Sequence, residues 1–133
     1  SPFLMITVVA LLLYCFILYR IKKRTKRLQE LIEQMTEEEF QFLLQAQSSL
    51  SFYYKYAPTF VICRDQLYLF TLFEIKEIDP KKVQKVCWHY TGKGSNLVEI
   101  LSPETTKFEV YTSAYPYLEN LIRKYNPNAD IEV

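Results

Sequence analysis

One histidine, three cysteines and two glycines bound the chemistry open to this 133-residue chain. His89 is the one candidate general base, with Cys87 or Glu99 as its nearest helpers. Their spacing assembles no set of nucleophile, base and orienting group, so a structural or surface histidine is expected. Cys63 and Cys87 fall in different predicted strands and Cys15 in an apolar run, so packing is their expected role. Thr91-Gly92-Lys93-Gly94-Ser95 has the composition of a phosphate loop. It lacks the leading glycine and the strand-to-helix setting, and is read as a hairpin turn. Glu74, Glu77 and Asp79 are spaced along an extended, solvated edge, which makes a charged rim rather than a carboxylate pair. No catalytic residue, metal set or cofactor is assigned. The expectation is a protein that is not an enzyme and has no small-molecule substrate.

The composition narrows the remaining classes. Hydrophobic residues make up 50% and aromatics 16%, which excludes a disordered chain. A net charge of +1 argues against nucleic acid as a partner held by bulk positive charge. The length fits one small domain plus a further segment.

That near-zero charge hides a segregated one. Six basic residues and no acidic ones lie between Ser1 and Arg27, and all six (Arg20, Lys22, Lys23, Arg24, Lys26, Arg27) are packed into eight positions. Leu28 to Ser51 carries five glutamates and no basic residue, and Phe52 to Val133 carries ten charges of each sign. Phe3 to Tyr19 is a 17-residue run without a charge. As a helix it covers about 25 Å, the short end of a bilayer core. Tyr14 and Tyr19 suit an interfacial depth and Arg20 can snorkel. The cations follow the apolar run and no small-residue cleavage site comes after it, unlike a signal peptide. An 82-residue remainder is too small to wrap an all-round apolar helix. Residues 1–20 are therefore read as a single transmembrane helix in the cell membrane, with everything after Arg20 cytosolic by the positive-inside rule. The chain opens on Ser1, not methionine, which leaves room upstream for residues or a further span.

Residues 21–50 read as a basic juxtamembrane and amphipathic helical linker. The cations serve as a topology signal, and as lipid-headgroup contacts each is worth about 1 kcal/mol near an anionic surface. Leu28, Leu31, Ile32 and Met35 form one apolar stripe. Thr36 with Glu39 makes a capping box, and Met35 with Phe40 a hydrophobic staple. The first helix is thus expected to reach Gln34 and a second to start at Glu37, with Phe40, Leu43 and Leu44 on one face and an end near Ser48 or Ser49.

From Phe52 the period becomes strand-like. Thr59–Arg64 and Leu67–Glu74 are expected strands with a turn at Asp65-Gln66, the second strand apolar on both faces. Lys76–Lys82, with Asp79-Pro80, is expected to be a loop or a turn. Further strands are expected at 83–90, 97–101 and 107–112, then a helix from near Ser113 with Pro116 in its first turn. Tyr115, Leu118, Leu121, Ile122 and Tyr125 form its buried stripe, and Asn126-Pro127 ends it. The fold class is α+β: a transmembrane and amphipathic helix, then an antiparallel β-meander of about five to seven strands capped by a C-terminal helix.

This order of elements resembles the bacterial pleckstrin-homology-like (PH-like) domains carried on short membrane anchors. The stretches TFVICR, LYLFTLFE, IDPKKVQKVCWHY and PYLENLIRKYNPNADIEV carry the resemblance, which assigns residues 51–133 to a cytosolic PH-like domain. The first hairpin has one arginine, Arg64, beside Asp65, and so departs from a basic phosphoinositide pocket. The resemblance implies a protein-binding role.

Eight aromatic rings fall within the 22 residues from Phe52 to Phe73. Phe60, Tyr68, Phe70 and Phe73 are expected in the core. Tyr53, Tyr54 and Tyr56, together with Trp88, are the expected partner-binding residues. Two functions follow. One is a membrane-anchored interaction module with a protein partner, serving as accessory subunit of a membrane complex or as a toxin-neutralising immunity protein. The other is a sensor of anionic lipid using the cations from Arg20 to Arg27.

Overall fold

The computed structural model describes residues 2–48, 58–71 and 74–132. The chain divides into two units, residues 1–34 and 35–133, each described by itself.

The first unit is one helix, α1 (Pro2–Gln34). Its 33 residues extend about 50 Å at 1.5 Å each. Every side chain from Phe3 to Tyr19 is exposed, and the helix is long and apolar enough to cross a bilayer. Thr7, the clearly polar member of the run, donates its hydroxyl to the Phe3 carbonyl at 2.8 Å. That bond lets a threonine sit in an apolar medium without an unpaired donor.

In the second unit, Thr36 caps α2 (Glu37–Ser48) as its capping box predicts. The Thr36 Oγ1 accepts from the Glu39 N–H at 3.2 Å, and Glu39 Oε1 accepts from the Thr36 N–H at 3.0 Å. Glu37, Glu38 and Glu39 fill the first turn, where the helix dipole favours negative charge. The buried face of α2 differs from the expected one. Glu39, Leu43 and Ala46 are buried and Phe40 is half-buried, whereas Leu44 is exposed. Positions 39, 43 and 46 follow the helical repeat, so the carboxylate of Glu39 belongs to the packed side.

Seven strands among the described residues make two sheets. Strands β1 (Phe60–Cys63), β2 (Gln66–Phe70) and β3 (Ile75–Ile78) pair antiparallel in chain order. Strands β4 (Lys85–Tyr90), β5 (Ser95–Ser102), β6 (Glu104–Tyr111) and β7 (Asp130–Ile131) are ordered β6-β5-β4-β7. Here β7 lies parallel to β4, with Val86 opposite Ile131. Burial alternates along β5 and β6, as a sheet with one packed face requires. In contrast, β1 is buried at all four positions and β2 at four of five; for β2 this matches the expectation that both faces are covered.

Helix α3 (Tyr115–Tyr125) closes the core, burying Tyr115, Leu118, Leu121 and Ile122. These join Leu67 and Leu69 of β2 and Val98 and Ile100 of β5 in one apolar cluster. Pro116 occupies the first turn, and Asn126 stops the helix by donating Nδ2 to the Val83 carbonyl at 2.8 Å.

Three expectations are corrected. The first hairpin turns at Arg64-Asp65, not Asp65-Gln66, because Cys63 pairs with Gln66 and both turn residues take left-handed backbone, φ 50° and 63°. Two consecutive positive φ angles are what a two-residue hairpin needs to follow the strand twist. Ile75–Ile78 is a strand rather than loop: its backbone pairs with β2, and Lys76 and Glu77, half-buried and exposed, fall on opposite faces. Asp79-Pro80 opens a short 3-10 helix, Pro80–Lys82, with the Asp79 carboxylate accepting from the Lys81 N–H at 3.0 Å. Finally, the sheets are not a pure meander, since β7 returns beyond α3 to run parallel to β4. Two residues are too few to show a strand period.

Candidate partner-binding surface

The most structured surface of the second unit is built around one carboxylate. The left-handed turn at Arg64-Asp65 directs two N–H groups to the same side, and Glu39 takes both. Its Oε1 accepts from Arg64 N–H at 2.9 Å and its Oε2 from Asp65 N–H at 3.1 Å. With the bond from Thr36 N–H, three backbone donors converge on a carboxylate that is 7% exposed. Burial pushes its pKa up, but the hydrogen bonds from Thr36, Asp65 and Arg64 outweigh that and hold it below the ordinary glutamate value.

Two further links tie α3 to this corner. Tyr125 donates its phenol to Asp65 Oδ1 at 2.8 Å, and Lys124 Nζ meets Glu38 Oε1 at 3.0 Å. Desolvation, then the bond to Asp65, drives the Tyr125 pKa well above the ordinary phenol range. The Phe42 and Tyr117 rings pack edge to face at 6.2 Å. Between these ties lies a groove of about 820 Å³ bordered by α2, the β1–β2 turn and α3. Ile62, Leu121 and Phe42 give it apolar surface, and Gln41, Gln45 and Asn120 line it with amides. Glu37, Glu38, Glu39 and Asp65 also line it, with Arg64 and Lys124, so the groove combines apolar contact with a polar and largely acidic surface.

The chain matches no protein-family model, no curated protein and no solved structure.

Of the sequence-predicted partner residues, Tyr53, Tyr54 and Tyr56 lie outside the described residues. Trp88 is half-buried on β4, its ring 5.7 Å from Tyr115, and its indole N–H donates to the Glu132 carbonyl at 3.0 Å. It thereby ties β4 to α3 and to the segment after β7. Its neighbour Tyr90 is the open aromatic of this strand, at 60% exposure. All six predicted headgroup cations lie on α1. Lys22, Lys23 and Lys26 are exposed, Arg20 stands over the Phe16 ring at 5.8 Å, and Arg27 pairs with Glu30 at 3.4 Å. At 100° per residue, Arg20, Lys23, Arg24 and Arg27 share one side of the helix, and Lys22 and Lys26 lie off it.

Of the residues weighed for catalysis, Cys87 and His89 share one face of β4, with Glu99 opposite Cys87 on β5, while the other cysteines lie elsewhere. His89 is exposed on β4, Cys63 is buried in β1, and Cys15 is exposed on α1. Desolvation pushes the Cys87 thiol up, with Glu132 and Glu99 adding and Lys85 opposing, so it stays protonated at neutral pH. Thr91–Ser95 forms the expected turn: Gly92 and Gly94 have φ of 82° and 79°, and the Thr91 N–H donates to the Ser95 carbonyl at 3.0 Å.

The groove escapes the sequence pattern. The capping box marks Glu39 as an N-terminal residue, but nothing local to it announces that a turn 25 residues later will share its carboxylate.

Proposed function

We propose that this chain is a non-enzymatic, single-pass membrane-anchored interaction module. Its C-terminal domain lies on the cytosolic face and presents a PH-like surface to a protein partner, as accessory subunit of a membrane complex or as an immunity protein that neutralises a toxin. The observation that carries the reading is the charge-free helical run Phe3–Tyr19, exposed along its length and followed at once by six cations. An exposed apolar helix of that length is costly in water and stable in lipid, and the cations on one flank set its orientation. The resemblance in element order supports the PH-like assignment, with two mainly antiparallel sheets and a C-terminal helix. The groove between α2 and α3 offers the partner a mixed apolar, amide and acidic surface.

A second reading, an anionic-lipid sensor, is favoured by the exposure of Lys22, Lys23 and Lys26. One experiment separates the two: capture of the full chain from native membranes, with mass spectrometry of the eluate and a Tyr53→Asp/Tyr54→Asp control. The module reading expects one stoichiometric protein that is lost in the control. An eluate holding enriched anionic lipid and no protein supports the sensor instead. A chain recovered from the soluble fraction overturns both.

A further inference from the structure

Part of the second unit's positive charge has no ion pair among the described residues: Lys93 on the β4–β5 turn, and a group beside the 3-10 helix. Lys76, Lys107, Arg123 and Lys124 each pair with a glutamate. Lys81, Lys82 and Lys85 make no ion pair among the described residues. Lys81 and Lys82 line a concavity of about 610 Å³ beside the 3-10 helix, together with Gln84, Pro103, Asn126 and Asn128. Its lining holds two cations and three amide side chains but no carboxylate.

The frame around it is fixed. Asn126 Nδ2 is held by the Val83 carbonyl, and its Oδ1 accepts from the Asn128 N–H at 3.1 Å. The Gln84 carbonyl accepts from the Asp130 N–H at 3.0 Å, and the Gln84 N–H donates to Leu101. Those backbone bonds leave the ammonium groups of Lys81 and Lys82 and the side-chain amides of Gln84 and Asn128 as the available donors. Of the carboxylates nearest in sequence, Glu104 is exposed and pairs with Lys76 at 3.7 Å, Asp79 spends one oxygen on the Lys81 N–H, and Asp130 is exposed on β7; none is in the lining.

We propose that this concavity binds a phosphate ester. A phosphomonoester carries about −1.5 to −2 charges and three acceptor oxygens at neutral pH, which two ammonium groups and two amides match. The concavity is larger than phosphate alone and open to solvent, which leaves room for the group it esterifies. The ester is either soluble or the headgroup of a lipid. This site is independent of the protein-partner reading, since it lies apart from the α2–α3 groove.

The test uses the full chain in zwitterionic nanodiscs, with the side-chain amide signals of Gln84 and Asn128 followed by NMR. Glycerol phosphate is titrated against chloride at matched ionic strength, and a second arm places phosphatidate in the nanodisc. Lys81→Gln/Lys82→Gln removes the charge, and Asn128→Asp adds an opposing one. Lys93→Gln is the control on a distant turn. The expected result is a saturable shift of both amides that is weakened about tenfold or more by Lys81→Gln/Lys82→Gln and, read on Gln84 alone, by Asn128→Asp, and is unchanged by Lys93→Gln. A shift from glycerol phosphate assigns a soluble ester, and one seen only with phosphatidate assigns a headgroup. No shift in either arm, or one equally large with chloride or in the double variant, overturns the proposal.

Discussion

Glu39 and Arg64 lie 25 residues apart in the chain, yet the carboxylate of one accepts the backbone N–H of the other at 2.9 Å. The same carboxylate caps its own helix, so a single side chain joins a helix start to a hairpin turn. Glu39→Ala leaves donors of the turn and of the helix cap without their partner. The expected loss is about 2–4 kcal/mol, the sum of a cap and an orphaned donor. Chemical denaturation at neutral pH measures it.

The same group gives an acid dependence. The folded pKa of Glu39 is depressed, so its contribution is complete above the unfolded-state value of about 4.3 and lost as pH falls through the folded one. Wild type is expected to lose more stability on acidification below that point than Glu39→Gln. Equal slopes for the two proteins would show that the carboxylate charge contributes nothing.

At the alkaline end the sign reverses. Burial, with Glu119 and Glu132 adding, pushes the Tyr115 pKa up to about 12, and Tyr125 is also raised. A raised folded value stabilises the fold fully below the unfolded pKa of about 10 and is lost as pH climbs through the folded value. Tyr115→Phe is therefore expected to flatten the loss of stability above about pH 10. Its hydroxyl finds no partner among the described residues, so the change costs little at neutral pH. Denaturation midpoints across the alkaline range check both statements.

Thr106 is the simplest stabilising site. It is 4% exposed on β6 and its hydroxyl has no partner among the described residues. Thr106→Val removes a buried, unpaired donor while keeping the branched shape. It should raise stability by about 1 kcal/mol, read as a shift in denaturation midpoint with unchanged slope.

Trp88 is the single tryptophan, so its fluorescence reports the contact of β4 with α3. Trp88→Phe loses the bond to the Glu132 carbonyl and is expected to cost about 1 kcal/mol. Trp88→Ala also empties ring volume against Tyr115 and should cost about 3–5 kcal/mol. If neither substitution moves stability, the residue is free for partner contact alone.

Local signals carried much of this architecture. Thr36 and Glu39 placed the break between α1 and α2, since capping needs residues close in sequence. Pro116 and Asn126 bracketed α3 for the same reason, and the stripe Tyr115, Leu118, Leu121 and Ile122 gave its buried face. What stayed hidden depends on distant partners. The Arg64-Asp65 turn adopts two left-handed residues while a glutamate on another element holds their N–H groups, and no pattern within the hairpin shows that. Ile75–Ile78 looked like loop because Lys76 and Glu77 dominate it, whereas its pairing with β2 decides its state. Leu44 looked like core, but the buried side of α2 was set by the turn that Glu39 serves.

The parallel return of β7 also dictates an order of assembly. Trp88 and Glu132 are bonded across 44 intervening steps of the chain. As the polypeptide emerges from the ribosome, β4, β5 and β6 can zip together while the outer edge of β4 still has no neighbour. That bare edge is open to pairing with other chains until residues 130–132 arrive to cover it. Closure of this long loop therefore follows the β4–β5–β6 pairing in chain order, and the interval before it leaves that edge open to misassembly.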